Sequence, residues 1–353
     1  MARWHERTEL IEICYHPDGM TWLTVPVIDI AAYWTGTESG KHRLARTIGQ
    51  ACRDIGFLVI AGHGVSPELV ASVERASREF FDLPMDEKMR VVRPAPDVTR
   101  GYIPIEGESV ARSRGEYAPG DLNESLMIGP VDVGDTPYYH GPAAGKHFAP
   151  NLWPERPAVL RAAYTTYYRV MADLARTLMR LFALALDQPE TFFDDKIERH
   201  ISRLRVRNYP APEESPQPGQ LRAGAHSDYG SLTILKSEDK PGGLQVCNKV
   251  GEWVDVPMMS GCFIVNLGDL MARWTNDEWV STLHRVVNPP MEMAHLSRRQ
   301  SLVFFHNPNY DALIECIPSC QGPGHPVKYP PITSGDHLRR QFVRTQTQAT
   351  TTS

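Results

Sequence analysis

The chain has 353 residues, 42% of them apolar and 22% charged, with a formal net charge of -5 and a pI of about 6.2. This is the composition of an ordinary globular protein, long enough for one large core or two modest ones. It offers no basic surface for a nucleic-acid backbone or an anionic membrane. The six cysteines are Cys14, Cys52, Cys247, Cys262, Cys316 and Cys320, with no Cys-x-x-Cys pair, so neither a disulfide scaffold nor a zinc knuckle is indicated. The opening MARWHERTELIEICYHPDG lacks an apolar h-region, and no run approaches the roughly 18 apolar residues of a membrane span. The cytoplasm is the expected location.

In chain order, TVPVIDI at 24–30 predicts a strand, and Leu44, Ile48 and Cys52 share one face of a predicted helix at 41–54. GFLVIAGHGV at 56–65 reads as an apolar strand closed by a Gly-rich turn. Ser66 followed by Pro67 opens a further helix whose buried side is Val70, Val73, Ala76, Phe80 and Phe81. Residues 91–154 are rich in Pro, Gly and Asp and read as irregular structure with short strand-like pieces such as Leu126-Met127-Ile128. A long helix is expected over 157–186, because Leu160, Tyr164, Tyr167, Met171, Leu174, Leu178 and Leu181 recur in steps of four and three. That stripe is core. After Ile201 come RLRVRNYP, LTILKS, GLQVCNKVGEWVDVP, CFIVNLGD, HRVVNPP and RRQSLVFFHNPN, short strands between turn residues, which point to a jelly roll. The ending TQTQATTTS is polar and repetitive and is expected to be disordered.

The chemistry concentrates in Ala225-His226-Ser227-Asp228. Residues i and i+2 of a strand share a face, so His226 and Asp228 can hold one ion together. His284, 56 positions after Asp228 and at the start of HRVVNPP, is the leading third ligand. Two imidazoles and a carboxylate on one side of a metal leave the opposite positions open, which suits ferrous iron binding O2 and a chelating co-substrate. An isolated His-x-Asp also arises as a surface pair, and two His with an Asp can serve a zinc hydrolase. There is, however, no His-Glu-x-x-His helix. Fifteen residues beyond His284, Arg299 and Ser301 share a strand face, and a guanidinium beside a hydroxyl makes a clamp for a carboxylate.

The order His-x-Asp, His, Arg-x-Ser resembles the isopenicillin N synthase-like family of iron(II)- and 2-oxoglutarate-dependent oxygenases. VPVIDI, GFLVIAGHGV, Arg100-Gly101-Tyr102, RNYP and FFHNPN match it further. The resemblance implies a mixed α/β fold, a double-stranded β-helix (jelly-roll) core with flanking helices. It divides the chain into an N-terminal segment at 1–120, a catalytic core at 121–320 with the iron and 2-oxoglutarate region at 200–310, and a C-terminal segment at 321–353. It implies Fe(II), 2-oxoglutarate and O2 as cofactors, with His226, Asp228 and His284 as iron ligands. Arg299 and Ser301 would grip 2-oxoglutarate, assisted by Tyr209. The expected reaction is hydroxylation, desaturation or cyclisation of a small molecule, with specialised metabolism as its setting. An oxidase of the same family that needs no 2-oxo acid, and a catalytically inactive binding protein, are the alternatives.

Alternation along RLRVRNYP puts Arg203, Arg205, Arg207 and Tyr209 on one face. Interior arginines are costly unless paired, so Arg205 and Arg207 predict either internal carboxylate partners or a carboxylate-bearing substrate. Arg203 and Arg205 also read as rim residues paired with Asp or Glu. Phe305, Tyr102 and Met127 are further candidates for lining a substrate pocket. His63 reads as a structural residue of its turn. Neither a nucleic acid nor a membrane is expected as partner.

Overall fold

Ser66 accepts a hydrogen bond from the Leu69 amide at 3.2 Å and Pro67 takes the first helical position, which starts the helix Pro67–Phe81. This is a computed structural model, and it describes residues 25–115 and 118–347. The expected strand residue Thr24, Cys14 and the opening read as lacking an h-region lie outside the described residues. A second helix, Glu38–Asp54, begins ahead of Lys41 because the Thr37 hydroxyl accepts from the Gly40 amide. The long helix runs Leu160–Ala185, and all seven residues of its predicted stripe are buried.

Twelve strands among the described residues build two sheets. They are β1 (Val27–Asp29), β2 (Phe57–Ala61), β3 (Gly101–Ile103), β4 (Glu124–Ile128), β5 (Arg203–Tyr209), β6 (Ala223–His226), β7 (Leu232–Ser237), β8 (Leu244–Cys247), β9 (Trp253–Asp255), β10 (Phe263–Leu267), β11 (His284–Val286) and β12 (Arg299–His306). The larger sheet has the order β1-β2-β10-β7-β12-β5-β4-β3 and the smaller β6-β11-β8-β9. Leu58, Ile60, Leu126, Leu204, Val206, Leu302 and Phe304 of the larger sheet pack on the helices. Its opposite face meets the smaller sheet through Phe57, Val59, Tyr209 and Ile264 against Ala223, Leu244, Val246 and Val286. Two sheets closing on one interior, with helices outside the larger, form the expected jelly roll.

Two expectations change. Residues 91–154 are less irregular than their composition suggests, because β3 and β4 extend the larger sheet beyond β5. The polar tail is helical for part of its length: the helix Ser334–Thr347 takes in Thr345–Thr347, and residues 348–353 lie outside the described ones. His63 is structural as expected, with Nε2 against the Gly261 carbonyl at 2.9 Å and Nδ1 accepting from the Val65 amide.

Tyr102 is a correction. It pairs with Leu126 on the helix side of the sheet, 5.9 Å from Phe80 between ring centroids, and so does not line the interior. Its hydroxyl donates to Glu124 Oε2 at 2.5 Å, in a buried network that also takes in Lys88 Nζ at 2.8 Å and Asn208 Nδ2 at 2.8 Å. Removing one partner of a buried ion pair leaves the other charge uncompensated, at about 3–5 kcal/mol. Lys88→Met is therefore expected to lower unfolding free energy by about that much, read from the denaturant midpoint at unchanged slope. A loss well under about 1 kcal/mol would show that Tyr102 and Asn208 alone satisfy Glu124.

Candidate active site

Strand pairing brings the distant His284 to the His226-x-Asp228 segment. His284 on β11 stands directly opposite His226 on β6, and Asp228 follows two residues later in the turn after β6. His226 Nε2 lies 4.0 Å and His284 Nε2 3.9 Å from Asp228 Oδ1. One ligand atom from each residue falls within 4.8 Å of the others. Two atoms bonded to one ion at about 2.0–2.2 Å stand at most about 4.4 Å apart, so the three are gathered at the scale of one ion's shell and need to close only slightly around it.

The donor chemistry fits a metal. His226 Nδ1 lies 2.8 Å from the Gly224 carbonyl and His284 Nδ1 3.1 Å from the Thr282 carbonyl. A carbonyl can only accept, so each ring carries its proton on Nδ1 and keeps a lone pair on Nε2. Burial, and then His284, lower His226 to about 3, which keeps the ring neutral. Asp228 Oδ2 accepts from Thr233 Oγ1 at 2.5 Å and Asn266 Nδ2 at 2.7 Å, turning Oδ1 toward the histidines. Burial raises the Asp228 carboxyl, but the two histidines and these two hydrogen bonds outweigh it and hold it below its ordinary value.

Thr233 and Asn266 escaped the sequence reading. The signal was present for Asn266, a lone amide in the apolar strand CFIVNLGD; Thr233 gave none. Partners that orient a metal ligand typically change metal affinity about 10- to 100-fold. Thr233→Val is expected to weaken iron binding by about that factor in a competitive chelator titration. Unchanged affinity would leave orientation to Asn266 alone.

Across the interior, Arg299 on β12 pairs with Tyr209 on β5, and Ser301 pairs with Arg207. Arg299 is 1% exposed, its guanidinium carbon is 4.9 Å from the Tyr209 ring centroid, and its Nε and Nη1 have no hydrogen-bond partner among the described residues. Burial lowers its pKa, with Tyr209 opposing. A buried cation with unsatisfied N–H donors is poised for an external carboxylate. Ser301 Oγ lies beside it on the same face, 2.9 Å from Ser237 Oγ.

The remaining candidates share this interior face. Met127 pairs with Arg205, Ser125 with Arg207 and Phe305 with Arg203. Arg205 is buried rather than at the rim: its Nη1 is 2.5 Å from Glu108 Oε1 and its Nε donates to Ser125 at 2.9 Å. Arg207 donates to Asn123 Oδ1 at 3.2 Å, and its charge also faces Glu108 and Asp121. Glu108 is held down to about 2 against its burial by Arg205, Arg207 and Arg93. Burial pushes Asp121 up to about 6 in spite of Arg207. Both acids come from the stretch read as irregular, where no periodicity could place them. Asp121 also accepts from the Val110 and Gly224 amides, which pins the turn at 110–114 against the strand carrying His226. A Cβ on Gly224 would stand 2.7 Å from Ala111 Cβ, so that close approach needs glycine.

Residues 25–156 match the family described as non-haem dioxygenase in morphine synthesis, N-terminal, and residues 201–308 match the 2OG-Fe(II) oxygenase superfamily. The 2-oxoglutarate-Fe(II) type oxidoreductase hxnY of Emericella nidulans is 33% identical over 329 residues, covering 92% of this chain and 91% of that protein. The chain belongs to the 2OG-Fe(II) oxygenase superfamily. The Validamycin A dioxygenase of Streptomyces hygroscopicus subsp. limoneus is 32% identical, over 91% of this chain and 86% of that one. A full-length Neurospora crassa protein, solved in complex with alpha-KG and thymine, shares the fold with a TM-score of 0.78 at 30% identity, covering 92% of this chain and 98% of that chain.

The resemblance read from the motifs is thereby borne out. This 2OG-Fe(II) oxygenase is a dioxygenase dependent on Fe(II), 2-oxoglutarate and O2, and it acts on a small molecule. Among its described residues no helix is long and apolar enough to cross a membrane.

Proposed function

We propose that His226, Asp228 and His284 hold the iron, that Arg299, Ser301 and Tyr209 hold the distal carboxylate of 2-oxoglutarate, and that the oxidised substrate carries a carboxylate. The observation that carries the first part is the convergence of two lone-pair Nε2 atoms and one carboxylate oxygen within 4.8 Å. The Nε and Nη1 of Arg299, without a hydrogen-bond partner among the described residues, support the second. Bound there, iron and 2-oxoglutarate supply O2 activation at the expense of oxidative decarboxylation to succinate and CO2, for oxidation of an unactivated C–H bond.

The protein's own share is placement and exclusion of water. Thr233 and Asn266 fix the Asp228 carboxylate, and the Gly224 and Thr282 carbonyls fix both ring orientations. Asp121 ties the turn over the site to β6. An excess of cations on the interior face supports the carboxylate on the substrate: Arg205, Arg207 and Arg93 face Glu108, Arg207 also faces Asp121, and Arg203 stands by Arg100 and Arg205. An anion completes that balance.

The test is succinate release by the metal-free chain reconstituted with Fe(II) or with Zn(II), with and without 2-oxoglutarate. Succinate is expected only with Fe(II) and 2-oxoglutarate together, and more of it when a carboxylate substrate is added. Substrate oxidation without any 2-oxo acid would replace this reading with the oxidase one. Iron bound at one per chain with no turnover on any substrate would point to a binding protein.

A further inference from the structure

Of the three interior arginines of β5, Arg205 and Arg207 are already answered by the protein. Arg205 is engaged by Glu108 and Ser125, although its Nη2 has no hydrogen-bond partner among the described residues. Arg207 is engaged by Asn123 and faces Glu108 and Asp121. Arg203 differs. Among the described residues it makes no hydrogen bond and no ion pair; its guanidinium carbon lies 5.1 Å from the centroid of the Phe342 ring. The charges that act on it most strongly are like ones, Arg100 and Arg205, and Arg100 spends its own donors on the His147 and Thr99 carbonyls. Burial, then those two neighbours, lower Arg203 to about 10, so it stays cationic at neutral pH.

The surroundings of Arg203 are those of a pocket wall. It is half-buried in a strand whose other six residues are buried, and its partner Phe305 is the one half-buried residue of β12. Both lie on the face that carries Arg299 and Ser301. Phe305 is also opposite Thr233, which holds Asp228. Tyr229, next to Asp228, and Phe342 of the C-terminal helix meet at 6.0 Å and close the side. That helix is tied to the metal-ligand turn by His337 Nε2 at 3.1 Å from the Tyr229 carbonyl, and Gln341 donates to Asp269 at 3.2 Å. A guanidinium without a hydrogen-bonded anion among the described residues, against Phe342 and beside its strand partner Phe305, is costly unless a ligand supplies the charge. An arginine fork matches a carboxylate with two parallel hydrogen bonds, and the rings cover a flat body beside it.

We propose that Arg203 is the specificity-determining residue of the substrate site, gripping the carboxylate of an aromatic or otherwise planar acid whose body packs on Phe305, Tyr229 and Phe342. This rests on the carboxylate reading above and assigns the contact to Arg203 in place of Arg207. The experiment uses matched pairs of probes, benzoate, cinnamate and 4-hydroxyphenylacetate with their primary amides, on the full chain with iron and 2-oxoglutarate. Binding is measured anaerobically by calorimetry and turnover by succinate release.

At least one acid is expected to bind about 30-fold or more tightly than its amide, the effect of a charge-assisted pair in a closed site. Arg203→Met should erase that preference and leave the 2-oxoglutarate KM unchanged, while Arg203→Lys keeps part of it. If no acid in the panel binds more tightly than its amide, the carboxylate reading falls and this inference with it. If the preference survives Arg203→Met and is lost in Arg207→Met, the carboxylate reading stands and Arg203 is not the anchor. Circular dichroism of each variant, together with its iron content, separates a lost contact from a lost fold, and Arg203→Gln supplies a second uncharged variant should the methionine one fail to fold.

Discussion

Asp228→Ala is expected to abolish both iron binding and turnover. Asp228 is the one anion among the three converging ligands, and its Oδ1 stands about equally far from the two imidazoles, at 4.0 and 3.9 Å. Without it, two neutral rings must hold a dication, and carboxylate is the ligand type that suits harder divalent ions. The variant also strands the Thr233 hydroxyl and the Asn266 amide, which now donate to Oδ2. Partners of a ligand shift affinity about 10- to 100-fold, and loss of the ligand itself should exceed that. Iron content after desalting and succinate release are the two readouts. Full iron occupancy at an undiminished rate would mean that the triad is misassigned.

Arg299→Ala is expected to raise the 2-oxoglutarate requirement by about 30- to several-thousand-fold with iron still bound. The range corresponds to about 2–5 kcal/mol for a charge-assisted pair lost in a closed site. Folding should survive the change better than the burial of Arg299 suggests, because Nε and Nη1 have no hydrogen-bond partner to lose among the described residues. Arg222 makes the contrast: it is equally buried, but donates to the Pro210, Pro241 and Ser297 carbonyls, so its loss would loosen the sheet. Saturation curves for 2-oxoglutarate at fixed iron check the prediction. A KM indistinguishable from the parent's would move the clamp elsewhere.

The sequence by itself determined what periodicity and local chemistry can encode. The steps of four and three from Leu160 to Leu181 predicted the buried stripe of the long helix, and Ser66-Pro67 its neighbour's start, because a helix repeats about every 3.6 residues and caps within one turn. Alternation likewise put Arg299 and Ser301 on one face of β12, and Tyr209, Arg207 and Arg205 on one face of β5; the register of the two strands makes these the same face. His-x-Asp and Arg-x-Ser were legible for the same reason: each pair sits on one short segment, where spacing alone decides which side chains share a side.

What only the tertiary structure decided depends on which segments meet. The direct opposition of His284 and His226 comes from the register of β11 on β6, a pairing of residues far apart in the chain that no local pattern encodes. Tyr102 shows the same limit from the other side. Its strand is too short for alternation to choose a face, and pairing with Leu126 put it among the helices. The arginines are the sharpest case. On sequence Arg203 and Arg205 were alike, two residues apart on one face. Glu108, delivered by a segment with no periodicity, reached Arg205, while Phe342 of the C-terminal helix came to lie against Arg203. Whether a buried cation is satisfied depends on an acceptor within about 3 Å, and the chain brings such an acceptor from another part of the sequence only when it folds.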